Sequence, residues 1–320
     1  MVTGRIGAHA VVLGASMAGL LAARVLSDAY DRVTIVDRDE FPDDATVRGG
    51  VPQGRHAHGL LASGREVLEE LFPGLVKDLV AAGSPSGDML SRGRYYFGGH
   101  RLARHDSHLL TLGASRPLLE LIVRQRVLAI PTVTLRQRTD VVDLVLDADR
   151  IRVTGVEVVQ RGGDRVAQSI DADLVVDSSG RGSRTPEWLL RCGYPQVGTD
   201  RVGIDLAYTS RVFRFAPDGL DGDIVMLVAS TPANPRGAVL QLLEGDRALL
   251  SLIGILGDYP PIDDAGFRAF ASSLAVPEIY AAVRDAEPVG PATSFRFPES
   301  IRRRYERMSR FPAGLLVLGD

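Results

Sequence analysis

His9-Ala10-Val11-Val12-Leu13-Gly14-Ala15-Ser16-Met17-Ala18-Gly19 is an apolar run that stops at a glycine and turns into a helical pattern. Leu20, Leu21, Ala23, Val25 and Leu26 then recur at spacings of three and four. Val33-Thr34-Ile35-Val36 follows as a second buried strand and ends on Asp37. Strand, glycine turn, helix, strand and acid is the order in which a βαβ unit holds a dinucleotide. Gly14 allows the tight turn, Gly19 lets the helix pack close to the strand, and the open helix N-terminus offers N–H groups to a pyrophosphate. Asp37 stands 23 residues after Gly14, where a carboxylate can accept from both ribose hydroxyls. Ser16 replaces the middle glycine of G-x-G-x-x-G and puts a side chain where backbone should approach phosphate. Serine is small and can itself donate to phosphate, so it reads as a tolerated variant. A structural βα turn without a ligand is the alternative, and strand context, spacing and terminal acid together weigh against it.

The totals bound the rest. At 320 residues and 45% hydrophobic, with 34 Gly and 18 Pro, the chain suits one large or two interleaved domains. A net charge of −3 gives no global field for nucleic acid or an anionic membrane surface. Cys192 is the single cysteine, which excludes an internal disulfide and points to a reducing cytoplasm. The N-terminal apolar run is too short for a signal peptide, and no run approaches a membrane span. Lys77 is the one lysine among 37 basic residues. Base composition explains that better than phosphate binding, and it leaves Schiff-base chemistry at most one apparently solvated position.

In chain order, Arg38 to Asp44 reads as a charged turn. Val47 to Leu60 is a glycine-rich loop carrying Arg48, Gln53, Arg55, His56 and His58. Helices fit 63–71 and 75–82, and Met89 to Leu112 reads as short hairpins broken by Gly93 and Gly98-Gly99. Ser115 is the expected N-cap of a helix running to Leu128, strengthened by Pro117 and Glu120, with Leu118, Leu121, Ile122 and Val127 inward. Strands are expected at 133–135, 140–146, 151–159, 165–170 and 174–177, with Gly162-Gly163 as a hairpin turn. The strand ending at Asp177 runs into a second glycine turn, Ser178 to Ser183, and a helix at 186–192. Strand patterns dominate 202–213, 223–230, 237–243 and 247–255. Helices near 263–273 and 277–285 follow, and a last strand at 314–318 precedes Gly319-Asp320.

Three pieces, the Gly14–Gly19 turn with Asp37, the Asp177-Ser178-Ser179-Gly180-Arg181-Gly182-Ser183 turn and the terminal Leu-Leu-Val-Leu-Gly-Asp, stand in a familiar order. Together they resemble the FAD-dependent monooxygenases of the para-hydroxybenzoate hydroxylase fold. Among these, the monensin-type polyether alkene epoxidases and related actinobacterial flavoproteins carry G-A-S-M-A-G, V-P-Q-x-R-H-A-H, S-R-P-L-L and D-x-x-G-R-G-S-R much as here. The resemblance implies an α/β (α+β) fold: a Rossmann-like FAD-binding domain of the glutathione-reductase type, interleaved with a mainly antiparallel β-sheet substrate domain. The expected boundaries are 1–84, 112–195 and 286–320 for the first, and 85–111 and 196–285 for the second.

Carried over by position, Gly14, Ala15, Ser16, Met17, Ala18 and Gly19 would hold the pyrophosphate, Asp37 the adenosine ribose, and Arg38 would lie by the adenine. Val141 or Val142 would meet adenine through backbone. Arg55 and Arg116 match arginines near the diphosphate and ribityl chain, and Asp320 matches the acid of the family's Gly-Asp motif. Arg48, Gln53, His56, Ser179, Gly180 and Arg181 complete the expected cofactor lining. Two departures stand out. Ser179 takes the place of an acid that in single-component hydroxylases serves both flavin and nicotinamide. NAD(P)H would then reduce the flavin directly or through a separate flavin reductase. The family's loop after the Gly-Asp acid is also not in the sequence, which reads as a flavoprotein truncated at its C-terminus.

The implied activity is insertion of one oxygen atom of O2, by epoxidation or hydroxylation, into a lipophilic small molecule through a flavin C4a-hydroperoxide, in cytoplasmic secondary metabolism. Flavin carries such chemistry itself, so no catalytic base or nucleophile is required and none is evident. Ile204, Leu206, Val225 and Leu227 are expected in an aliphatic substrate chamber. A reductase or dehydrogenase acting on isoprenoid-type double bonds, and a catalytically silent dinucleotide-binding fragment, are the alternatives. His56 and His58, with His100, His105 and His108, lack a completing thiolate or acid cluster, so no metal is expected. The last three should be polar hairpin faces, Arg302-Arg303-Arg304 a solvated helix or strand end, and Trp188 with Leu189-Leu190 core.

Overall fold

His9 to Leu13 can form a strand with no polar face because both of its faces are covered. All five residues are buried in β1 (Gly7–Leu13), as the centre of a parallel sheet demands. The computed structural model describes residues 4–163, 166–216 and 218–319. α1 (Met17–Leu26) and β2 (Tyr30–Val36) complete the expected βαβ unit. The chain divides into two units, 1–51 with 120–200 and 301–320, and 52–119 with 201–300.

The first unit holds a five-stranded, all-parallel sheet in the order Leu315–Val317, Leu174–Asp177, β1, β2, Val133–Arg136. A three-stranded antiparallel sheet of Thr139–Leu146, Val153–Gln160 and Ala167–Asp171 accompanies it. The first strand of that sheet is bulged: Val141 pairs with Val158 and Asp143 with Glu157, leaving Val142 as the extra residue. Val11, Leu13, Val36, Leu144, Val156, Trp188 and Leu315 share one core. Trp188 and Leu189 are interior as expected, but Leu190 is 55% exposed. One step along the helix Thr185–Arg191 turns it away from the face that its neighbours bury.

The second unit is built on a seven-stranded sheet in which Gly93–Phe97 pairs in parallel with Val225–Val228 and the other paired strands whose registers are described here run antiparallel. Its core face, with Phe213, Met226, Leu240, Leu250 and Leu252, packs on Phe267 and Phe270 of the helix Asp264–Ser272 and on Ile279 and Val283 of Glu278–Val283. Alternation puts Leu206, Val225 and Leu227 on the other, half-buried face; the positive φ of Asp205 interrupts it before Ile204, which is half-buried as well. A two-residue hairpin turn sits at Gly98-Gly99, both at positive φ, between Phe97 and its partner His100. His100, His105 and His108 are exposed. This architecture is the mixed α/β fold that the sequence leads one to expect.

The sequence reading missed one long element. Pro288–Arg303 is a strand at the edge of the seven-stranded sheet. Pro288, Gly290, Pro291 and Pro298 read as breakers, yet an edge strand tolerates a missing N–H on its open side. The arginine run at its end is also not simply solvated: Arg303 donates to the carbonyls of Gly180 (3.1 Å) and Arg181 (2.8 Å). Of the strand expected at 165–170, residue 165 lies outside the described residues, and the remainder is Ala167–Asp171.

Gly19 shows how tightly the βα turn is built, since a Cβ there would stand 1.8 Å from the Gly14 carbonyl oxygen. Gly19→Ala is therefore expected to destabilise the fold by about 2 kcal/mol or more, despite alanine's better helix propensity. Gly49→Ala, whose Cβ would meet nothing within 4 Å, serves as the control. Urea unfolding of the two variants checks this.

Candidate functional site

The end of β1 passes its chain into a turn at Gly14, φ +94°, and the helix begins at Met17. The first helical hydrogen bond runs from the Leu20 N–H to the Ser16 carbonyl at 2.9 Å. The N–H groups of Met17, Ala18 and Gly19 precede it and face the end of the helix dipole that favours anions. Ser178 fastens this turn to the second one, donating its hydroxyl to the Leu13 carbonyl at 2.7 Å.

Asp37, 8% exposed, lies beneath the turn. One of its oxygens accepts the Ala15 N–H at 2.7 Å and the other the Asp39 N–H at 2.8 Å. Each keeps a lone pair over. Next to it lies a buried ion cluster. Arg48 donates Nε to Glu120 (2.8 Å) and Nη1 to Asp39 (2.7 Å), and stands 3.6 Å from Asp37. Burial alone would lower the Arg48 pKa, but Glu120, Asp37 and Asp39 raise it above the usual value. The Ser16 hydroxyl donates to the other oxygen of Glu120 at 3.1 Å. Arg48 Nη2 is buried and makes no hydrogen bond among the described residues.

These groups open on a cleft of about 380 Å³, a ligand-sized volume. Gly14, Ser16, Asp37, Arg38 and Arg48 line one part, Thr139 to Val142 another, and Ser178, Ser179, Gly182, Arg184 and Trp188 a third. The bulged Val142 stands in that wall with its backbone groups outside the ladder. Gly14 to Gly19, Asp37, Arg38, Arg48, Val142 and the turn Ser179-Gly180-Arg181 all belong to the first unit. Gln53, Arg55, His56 and Arg116 belong to the second, and Asp320 lies outside the described residues.

Asp177 and Glu120 are the groups that sequence reasoning did not place here, and Asp39 was expected only as part of the charged turn Arg38 to Asp44. Asp177 is 1% exposed and organises the second turn, accepting from the Ser179 N–H (2.9 Å), the Thr185 hydroxyl (2.6 Å) and the hydroxyls of Ser179 and Ser183. An acid at a strand end before three serines was the available signal. Glu120 was read as a helix-start residue, but its carboxylate goes to Arg48 and Ser16. Ser115 does cap the helix, accepting the Leu118 N–H at 3.2 Å.

In the second unit Gln53 and Arg55 are exposed on the single turn Pro52–Arg55. His56 is 7% exposed against the rings of Tyr208 and Phe295. Its Nδ1 is 2.8 Å from the Ser210 hydroxyl, which is 2.6 Å from that of Ser251, and Ser251 accepts the Ala57 N–H at 2.9 Å. Burial first, then His58 and Arg55, push the His56 pKa down to about 4. Among the described residues no group of three or more His, Cys, Asp or Glu could hold a metal ion, and no helix is long and apolar enough to cross a membrane.

With this geometry the chain shares its fold with solved flavin enzymes. It superposes on the flavin-dependent brominase Bmp2 with a TM-score of 0.71 at 16% identity, over 98% of this chain and 72% of that one. PqsL of Pseudomonas aeruginosa, described as a probable FAD-dependent monooxygenase, gives 0.69 at 16% identity over 98% and 78%. No family model matches the sequence. Over an alignment 331 positions long, the chain is 38% identical to protein Rv3254 of Mycobacterium tuberculosis (strain ATCC 25618 / H37Rv), spanning 99% of this chain and 69% of that protein, and it belongs to the same family.

A depressed His56 pKa carries a stability consequence. The unfolded imidazole takes up a proton below about pH 6.5 while the folded one stays neutral to about pH 4, so acid favours unfolding across that window. His56 should account for about 2 kcal/mol of stability lost between pH 7.5 and pH 5. Urea midpoints at the two pH values should differ less in His56→Gln than in the wild type.

Proposed function

We propose that the protein is an FAD-dependent oxidoreductase, a monooxygenase that transfers one oxygen atom of O2 to a lipophilic small molecule. The observation that carries this reading is the pairing of an open helix start with a buried acid, Asp37, on the wall of one ligand-sized cleft. The residues present fit the cofactor. Arg48 keeps a buried Nη2 donor that makes no hydrogen bond among the described residues, which suits a phosphate, and Asp37 keeps acceptor capacity on both oxygens, which suits ribose hydroxyls.

In this reading the N–H groups of Met17, Ala18 and Gly19 bind the diphosphate, helped by Arg48, with Gly14 shaping the turn and Ala15 tying it to Asp37 through its own N–H. Asp37 holds the adenosine ribose, Arg38 lies along the adenine, and Val142 meets its edge through backbone freed by the bulge. Ser179 and Gly182 stand in the second wall, in a turn fixed from below by Asp177 and from the side by Arg303; Gly180 and Arg181, which are not among the residues lining the cleft, are assigned to the cofactor on the sequence resemblance. Bound FAD supplies the redox and oxygen chemistry. Gln53, Arg55, His56, Arg116 and Asp320 are assigned to the cofactor on the sequence resemblance. His56 is neutral at physiological pH and so adds no charge where it lies. Ser179, with no carboxylate, favours reduction of the flavin by NAD(P)H through a separate flavin reductase. Transfer to an alkene, as in the monensin-type epoxidases, is the finer proposal, supported by the quoted motifs and by the half-buried aliphatic side chains of Leu206, Val225 and Leu227 on one face, with Ile204 close by in sequence.

Purified protein titrated with FAD is expected to show flavin absorbance bands at one equivalent. Asp37→Ala should weaken FAD about 10- to 100-fold, the worth of hydrogen bonds to a charged group. Supplied with NADPH and a flavin reductase, the holoprotein should consume O2 only with a lipophilic alkene or polyketide present. Failure to bind FAD would overturn the proposal; substrate turnover without O2 would favour the reductase reading.

A further inference from the structure

Resting on the dinucleotide reading of the cleft, we infer that Glu120 is the positioning residue of the phosphate site, and that Ser16 anchors Glu120 rather than contacting phosphate. A serine hydroxyl has one proton to donate. Ser16 directs it to Glu120 at 3.1 Å, so the side chain that replaces the middle glycine points its hydrogen at a carboxylate. The other oxygen of Glu120 takes Arg48 Nε at 2.8 Å. Asp39 takes Nη1 at 2.7 Å. With Nε and Nη1 both committed to carboxylates, the planar guanidinium has a fixed orientation, and Nη2 is the donor left over in a residue that lines the cleft. Glu120 is itself 5% exposed, so neither contact is a solvated surface pair.

Two physical consequences follow for a phosphate-bearing ligand. The anion is received by backbone N–H groups and by Arg48 Nη2, not by the Ser16 hydroxyl. An amide at position 120 cannot replace the acid, because it has one acceptor oxygen and two donor hydrogens. Its oxygen can serve Arg48, while its NH2 group reaches Ser16 only if that hydroxyl turns to accept, and the negative charge that holds the guanidinium is lost.

ADP, which carries the adenosine and diphosphate but no flavin, is the probe, with adenosine as the phosphate-free comparison. Isothermal titration of the full chain should show Ser16→Ala within about twofold of wild type for ADP. Glu120→Gln should lose about tenfold or more for ADP and much less for adenosine. Arg48→Ala should show the same selectivity, and combined with Glu120→Gln should add little further loss. A tenfold further loss of ADP on adding Ser16→Ala to Arg48→Ala would make Ser16 a phosphate donor in its own right and overturn the inference. So would wild-type ADP affinity in folded Glu120→Gln, or equal losses for ADP and adenosine, which mark a general structural defect. If Glu120→Gln does not fold, Ser16→Ala and Arg48→Ala still decide between the two arrangements. Wild-type protein that binds neither ADP nor FAD would sink the dinucleotide reading itself; FAD binding with an unaffected Glu120→Gln would sink this inference alone.

Discussion

The guanidinium of Arg48 among Asp37, Asp39 and Glu120 is the interaction on which the site depends. Three buried carboxylates around one arginine are costly to desolvate, and attraction repays that cost only when every oxygen and N–H is well used. Here nearly all are. Asp39 takes both Arg48 and the Gly50 N–H at 2.7 Å, Asp37 takes two backbone N–H groups, and Glu120 takes Arg48 and Ser16. Such a cluster does more for geometry than for net stability. It ties the glycine turn, the end of β2, the loop at residues 48–50 and the helix Arg116–Leu128 to one point, so the cleft is shaped before any ligand arrives.

Most of the frame could be read from sequence because it rests on local rules. The run Val11-Val12-Leu13, the glycine at φ +94° and Asp37 at the end of β2 state their roles within forty residues. The hairpin at Gly98-Gly99 and the cap at Ser115 are equally local. The strand Pro288–Arg303 was illegible for the opposite reason. Its prolines violate the interior-strand rule, and only its position at the edge of a sheet assembled from distant segments makes them harmless.

The site shows the same division. Asp37 and the glycine turn are visible as a motif, whereas Glu120 meets Arg48 across 72 residues and Ser16 across 104. No periodicity or spacing announces such a pairing. Asp177 was legible as the end of a strand but not as an acceptor for three hydroxyls and a backbone N–H. Arg303 looked like one of a solvated run until the carbonyls of Gly180 and Arg181 gave it partners.

The two glycine turns also solve one problem by different means. The first relies on backbone: Gly14 turns, Gly19 leaves no side chain, and the helix start remains open. The second has few glycine-only constraints and is filled with hydroxyls, which Asp177 collects from below while Arg303 satisfies the carbonyls at its flank. A turn stabilised by a buried carboxylate holds its shape without lending that charge to a ligand. Ser179 has its hydroxyl and its N–H both committed to Asp177. The negative charge is thus kept inside the turn, and the charged group the turn itself exposes is a cation, Arg181.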